Sequence, residues 1–339
     1  MIILKSYPLK QFNTFRLNAY AKYFVRVHST EGISELIYTI KSKLSKYCVL
    51  GGGSNIIFRS YYNGWVLKNE IMGIHLYKQD EDSVWVSVGA GEDWHGLVRY
   101  SISNNWHGLE NLSLIPGSVG AAPIQNIGAY GVELKDVFDS LHAINMLTGE
   151  EVCFSKKDCE FGYRHSIFKG ELSNQFLITS VNLKLSKKPD FNIEYGAIKK
   201  RLQKLNIEEL NGKILSDTIC EIRSGKLPDP RRVGNCGSFF KNAIIPKGKY
   251  EYLQKEFKDM PFYETSDPNF VKVPTAWLIQ NCGWKGKQYK EVAVYKKHAL
   301  VLINAGNAKN EHVIELSERI IDSVNEKFSI EIEREVTIY

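Results

Sequence analysis

A short apolar strand signal, Tyr47-Cys48-Val49-Leu50, runs directly into Gly51-Gly52-Gly53-Ser54-Asn55, and this junction restricts the chain more than any other stretch. Glycine lacks a Cβ and tolerates positive φ, so three in succession let main-chain N–H groups turn toward one point, with Ser54 and Asn55 adding side-chain bonds. Such a point suits a diphosphate. The spacing is not G-x-G-x-x-G, because Asn55 and Ile56 occupy the third-glycine region, and no Gly-Lys-Ser/Thr follows. Neither a Rossmann turn nor a Walker loop is written here. Taken alone, three glycines equally describe a tight turn with no ligand.

A second stretch changes that balance. From Pro116-Gly117-Ser118-Val119-Gly120-Ala121-Ala122-Pro123 through Ile124-Gln125-Asn126-Ile127-Gly128-Ala129-Tyr130-Gly131, small residues recur at position after position. They let backbone approach a planar group, and Gln125 and Asn126 offer bonds to ring edges, as a flavin requires; a close helix–sheet contact is the other reading.

Around these turns the rhythm is α/β. Tyr23–Val27 reads as a strand, Ser29 and Thr30 as N-cap residues, and Ile33, Leu36, Ile37 and Ile40 as one helix face. From about residue 64 the period becomes two, as in Val84, Val86 and Val88, followed by a helix near Trp94 to Asn104. Strands continue to about residue 215. A third section carries Pro228 and Pro230 near its start, a closing helix with Val313, Leu316, Ile320 and Val324 on one stripe, and a terminal strand, Ile330 to Ile338, that alternates apolar with charged residues. The parts are therefore 1–65, 66–215 and 216–328, in an α+β chain whose last segment, 329–339, is expected to return to the active site.

A chain of 339 residues, 43% hydrophobic, can bury two or three cores. The formal charge of +6 raises the question of nucleic acid, but Lys and Arg are scattered, with only short groups such as Lys199-Lys200-Arg201, so nucleic-acid binding is not expected. No apolar run approaches the roughly 18 to 20 residues that cross a bilayer, and Met1-Ile2-Ile3-Leu4 is cut short by Lys5, which points to the cytoplasm rather than to a membrane. Six cysteines without C-x-x-C or finger spacing read as free thiols, and no metal site is expected.

Five segments in order carry a family resemblance. Leu50-Gly51-Gly52-Gly53-Ser54-Asn55, Pro116-Gly117-Ser118-Val119-Gly120-Ala121, Gly162-Tyr163-Arg164-His165-Ser166, Gly234-Asn235-Cys236-Gly237-Ser238-Phe239-Phe240-Lys241-Asn242 and Glu331-Ile332-Glu333-Arg334-Glu335-Val336 resemble the signatures of the UDP-N-acetylenolpyruvoylglucosamine reductases. Tyr195-Gly196 and Asn126-Ile127-Gly128-Ala129-Tyr130 are similar to the longer, type I branch. The resemblance implies a vanillyl-alcohol-oxidase/PCMH-type FAD-binding fold of two α/β subdomains, a C-terminal α/β substrate-binding domain, noncovalent FAD, and NADPH as hydride donor. It also implies a small-molecule UDP-sugar substrate, with a monomer expected. The cofactor contacts it implies are Leu50, Gly51, Gly52, Gly53, Ser54, Asn55, Pro116, Gly117, Ser118, Gly120, Ala121, Gln125, Asn126, Gly128, Ala129 and Tyr130.

In that family an enolpyruvyl ether becomes a lactyl ether, and charge develops on a carboxylate between hydride and proton delivery. Arg164, planar and permanently charged, is the implied partner of that charge. Ser238 is the implied proton donor, polarised by Lys226 and Asn242; without the resemblance it would be read as a turn serine. Glu333 matches the catalytic glutamate, and a glutamate beside a carboxylate holds its proton more firmly. Register decides between Glu333 and Glu335, because Glu331, Glu333 and Glu335 alternate on one strand face. Tyr163 and Tyr195 are assigned to substrate, with Tyr195 over the nucleotide, and Lys285 to a phosphate.

Two departures from the family pattern, Gln288–Val292 after the Lys285-Gly286 turn and Ala243 after Asn242, put local contacts in question. A sugar or alcohol oxidase on the same fold would often carry a flavin-linking His near the glycine turn; none lies between Tyr47 and Ser60, and His28 and His75 do not fit. A catalytically inert nucleotide-binding module need not keep Arg164, Ser238 and Glu333 together.

Overall fold

The computed structural model describes residues 1–205 and 209–339, which divide into two compact units. The first unit comprises 1–7, 21–52 and 63–225, and the second 8–20, 53–62 and 226–339.

The first unit holds two larger sheets and a two-stranded ladder of Gly128–Ala129 with Val132–Glu133. One has four strands in the order Ile3–Pro8, Tyr20–Val27, Tyr61–Asn69, Tyr47–Leu50, and the last two run parallel. Helix Ile33–Ser42 packs Ile33, Leu36, Ile37 and Ile40 into a core with Val25, Val27, Trp65 and Leu67. Its N-cap is Gly32 at φ +75°, with no side-chain cap, rather than Ser29 or Thr30. A missing cap costs about 1 kcal/mol. Four buried aliphatic side chains at roughly 1.5–3 kcal/mol each outweigh it, so packing and not capping sets where this helix begins.

The other sheet is a five-stranded antiparallel array: Glu151–Ser155, Phe138–Asn145, Phe176–Ser186, Ser83–Gly89, Ile74–Gln79. Helix Trp94–Ser103 lays Trp94, Leu97 and Val98 in the core with Val84, Val86 and Val88, and the Asp93 carboxylate caps it by accepting from the Gly96 N–H at 2.7 Å. Helix Gly212–Lys226 runs through the boundary expected at 215, because its Leu215 and Ile219 share a core with Ile198.

In the second unit a four-stranded sheet runs Asn235–Ser238, Val301–Asn304, Val292–Val294, Gln288–Tyr289, and a three-stranded one Ala243–Pro246, Phe270–Val273, Tyr263–Glu264. Helix Asn310–Phe328 buries Val313, Leu316, Ile320 and Val324 as its stripe predicts. The segments 8–20 and 53–62 belong here rather than with the rest of 1–65: Thr14 N–H donates to the Gly53 carbonyl at 3.0 Å and the Asn304 amide to the Phe15 carbonyl at 3.1 Å. The terminal strand is shorter than its alternation suggests. Only Thr337–Ile338 joins a ladder, parallel to Ile56–Ile57, and the alternation fails at Arg334–Glu335, after which Glu335 and Val336 are both buried. No helix among the described residues is long and apolar enough to cross a membrane.

Candidate active site

Strand Tyr47–Leu50 delivers Gly51 and Gly52 against the second small-residue stretch. A Cβ on Gly52 would fall 2.7 Å from Gly117 Cα, and one on Gly51 would fall 2.3 Å from Ser118 Oγ. Only glycine allows that approach. The N–H groups of Gly52 and Gly53 donate to nothing among the described residues, and the buried Ser118 hydroxyl has no partner there either. Unmet N–H donors at a turn that no side chain can enter suit a diphosphate.

The second stretch is fastened from behind. Trp94 N–H donates to Gly117 O at 3.0 Å, Val119 N–H to Glu92 O at 2.9 Å and Gly120 N–H to Ala90 O at 2.9 Å. Gly120 lies so close to Ala90 that an added Cβ would come within 2.5 Å of its methyl.

Asn126 differs from expectation. It is fully buried at φ +45°, and its amide donates to Glu133 Oε2 at 3.0 Å and Gly162 O at 3.1 Å while its carbonyl accepts from Lys135 N–H at 3.0 Å. With both donors engaged inside the loop, it shapes the turn instead of reaching a ring edge. Gln125 Oε1 accepts from the Lys169 ammonium at 3.2 Å.

Arg164 sits at φ +52° and donates through Nη2 to Gly128 O at 2.8 Å, which ties it to the second small-residue stretch, and its guanidinium lies 5.7 Å from the Tyr163 ring centroid. A residue not anticipated from sequence faces it. Arg223, on helix Gly212–Lys226, is held below its ordinary pKa chiefly by burial and also by the Arg164 charge, with Tyr130 and Cys220 working the other way. Among the described residues Arg223 forms no ion pair. No motif in the sequence marks Arg223.

Tyr195 is exposed, and its ring meets Tyr130 edge-on at 5.1 Å and 88°. Asn111 holds the two loops together, donating to Tyr130 O at 2.9 Å and to Asn192 O at 2.8 Å.

In the second unit, Ser238 ends a strand with a bulge: Asn235 pairs with Ile303 and Ser238 with Val301, so three steps on one strand match two on the other. Gly237 takes φ +70° and its N–H binds Asn235 Oδ1 at 3.0 Å. Bulges of this kind re-aim the following side chain. The Ser238 hydroxyl is half-exposed and bonds no described protein group, while Phe239 and Phe240 anchor the strand in the core.

The C-terminal segment passes beside this strand. Lys241 N–H donates to Glu333 O and Glu335 N–H to Phe239 O, each at 2.9 Å. The Glu333 side chain is 71% exposed and pairs with Lys241 at 2.7 Å, whereas Glu335 is 9% exposed. Burial first, and then Glu335, pushes the Cys236 thiol far up, so it stays protonated and is no nucleophile.

Lys226 and Lys285 are exposed, and both face His298, whose imidazole is held below its ordinary pKa by burial first and then by these two ammoniums. The His298 Nδ1 accepts from Leu300 N–H at 3.3 Å. Lys285 also donates to Gln280 Oε1 at 2.9 Å, and Asn242 Oδ1 accepts from Thr275 N–H at 3.1 Å. None of the six cysteines forms a disulfide, and no metal-ligating group of three His, Cys, Asp or Glu occurs among the described residues.

Residues 21–154 match the FAD binding domain and residues 229–339 the C-terminal domain of UDP-N-acetylenolpyruvoylglucosamine reductase. Proteins named UDP-N-acetylenolpyruvoylglucosamine reductase are 46% identical in Flavobacterium johnsoniae, covering all of both chains, and 43% identical in Amoebophilus asiaticus, covering 100% of this chain and 99% of that one. The crystal structure of the Thermus caldophilus enzyme superposes with a TM-score of 0.68 at 22% identity, over 100% of this chain and 98% of that one, a likeness of fold. The fold is accordingly the vanillyl-alcohol-oxidase/PCMH-type α+β arrangement with a C-terminal α/β domain, and the cofactor is FAD. This chain is a flavoenzyme that belongs to the UDP-N-acetylenolpyruvoylglucosamine reductase family.

Proposed function

We propose that this chain reduces the enolpyruvyl ether of a UDP-sugar to the lactyl ether, with NADPH as the electron source, as a monomer in the cytoplasm. Bound FAD supplies hydride transfer. The chain's own residues do the rest: the glycine cradle, with Ser118, holds the diphosphate, and Arg164 with Arg223 stabilises the anion that forms as charge moves onto the substrate carboxylate. Lys226 and Lys285 supply positive charge for the substrate's diphosphate, and Tyr195 covers the nucleotide.

Proton delivery falls to Ser238. The observation that carries this reading is the bulge at Gly237, which leaves the Ser238 hydroxyl bonded to no described protein group, on the strand that the buried Glu335 backs. A hydroxyl is a weak acid, and it serves when the acceptor is strongly basic and a neighbour polarises the O–H. Burial and contact with the Ser238 strand favour Glu335 over Glu333 as the glutamate of the site, since Glu333 is engaged by Lys241 toward solvent.

Anaerobic mixing of purified protein with NADPH, with and without the enolpyruvyl UDP-sugar, tests the proposal. NADPH should be consumed catalytically only when the sugar is present. In a parallel run in air, steady turnover without the sugar would instead identify an oxidase.

A further inference from the structure

The ammonium of Lys68 lies under the first glycine of the FAD cradle. Leu50 and Lys68 are partners in the parallel ladder, and from that position Lys68 Nζ donates to the Gly51 carbonyl at 3.0 Å and to the Asn69 carbonyl at 3.5 Å. Among the described residues it forms no ion pair. Two charged side chains face it, Glu70 and Arg26, and these are bonded to each other at 2.9 Å, with His28 reaching the same carboxylate at 3.6 Å. A half-buried ammonium satisfied only by neutral carbonyls is an expensive arrangement, and burial accordingly holds it below the ordinary lysine value.

The carbonyl it grips gives that expense a use. Gly51 C=O and Gly52 N–H belong to one trans peptide unit, since no cis bond occurs among the described residues, so the two groups point in opposite directions. Fixing the carbonyl on Lys68 turns the Gly52 N–H away from Lys68, and that N–H has no described protein acceptor. A cation bound to the oxygen also polarises the amide, making its N–H a stronger donor.

We propose that Lys68 is a cofactor-positioning residue: it acts through the Gly51–Gly52 peptide to aim and strengthen the Gly52 N–H toward the diphosphate of FAD, and it supplies a counter-charge to that diphosphate.

The test is the dissociation constant of FAD from apo-protein, read by flavin fluorescence for the wild type and Lys68→Met between pH 7.5 and 10.5. The substitution keeps the aliphatic stem and removes the charge. At pH 7.5 Lys68→Met should bind FAD roughly 10- to 100-fold more weakly, the range of a lost hydrogen bond to a charged group. The gap should close as pH rises and the wild-type lysine loses its proton. Affinity within about twofold of wild type at pH 7.5, or a gap that persists unchanged to pH 10.5, overturns the proposal, since a packing role would not titrate. If Lys68→Met fails to fold, the wild type decides alone: the Gly52 amide resonance of apo-protein should titrate with a midpoint below about 10.4, and a resonance that does not move overturns it.

Discussion

Glu333 and Lys241 are paired at 2.7 Å, with the Glu333 side chain 71% exposed, while two residues later Glu335 turns into the core. The backbone explains the switch. The bonds Lys241 N–H to Glu333 O and Glu335 N–H to Phe239 O flank the Phe240–Arg334 bridge, and beyond it the segment re-forms as a strand beside Ile56–Ile57.

From this pair we expect Glu335→Gln to lower kcat by roughly 10²- to 10⁴-fold, the usual weight of a positioned acid or base. Glu333→Gln should leave kcat within about threefold, because an exposed ion pair contributes under about 1 kcal/mol. Steady-state assays of the two variants decide; the reverse pattern would return the role to Glu333.

Ser238→Ala should separate the half-reactions. Stopped-flow mixing should show reduction of the bound flavin by NADPH at close to the normal rate, and its reoxidation by the enolpyruvyl sugar slowed roughly 10²- to 10⁴-fold. Equal loss in both phases would mean that Ser238 is structural.

Gly52→Ala places a methyl 2.7 Å from Gly117 Cα, a backbone atom that cannot rotate aside. Overpacking of this kind costs about 1–3 kcal/mol, and we expect FAD affinity to fall roughly 10- to 100-fold. The ratio of 450 nm to 280 nm absorbance after gel filtration gives the readout.

His95 and His298 are both held below the ordinary histidine value, principally by burial, with Arg99 next for the first and Lys226 next for the second. Their folded pKa values are depressed, so the unfolded chain binds protons more readily. Stability is full above about pH 6.5 and is lost as pH falls through the depressed values. The apo-protein melting temperature should therefore drop below pH 6.5, and His298→Asn should flatten part of that drop. A diphosphate ligand bound at Lys226, Lys285 and His298 should do the same, because protonated His298 would then face an anion.

Much of this was legible in the chain itself. The helix stripes of Ile33–Ile40 and Val313–Val324, the strand before Gly51 and the two glycine stretches are local patterns, fixed by period and by the absence of a Cβ. These residues needed no partner to declare themselves.

Tertiary structure decided the rest. No sequence motif marks Arg223, which burial holds below its ordinary pKa, and Asn126 reads as a ligand contact until Glu133, Gly162 and Lys135 claim its amide. Glu333 and Glu335 share one face of any regular strand, so period two cannot tell them apart; the break at Arg334 can. Lys68 is one of 44 basic residues in the sequence, and only the parallel pairing with Leu50 sets its ammonium on the carbonyl of Gly51. The sequence alone thus established the glycine run as a backbone-exposing turn after a strand, since backbone freedom is a local property. Which charges surround that turn depends on contacts between residues far apart in the chain, and these exist only once the sheets have closed.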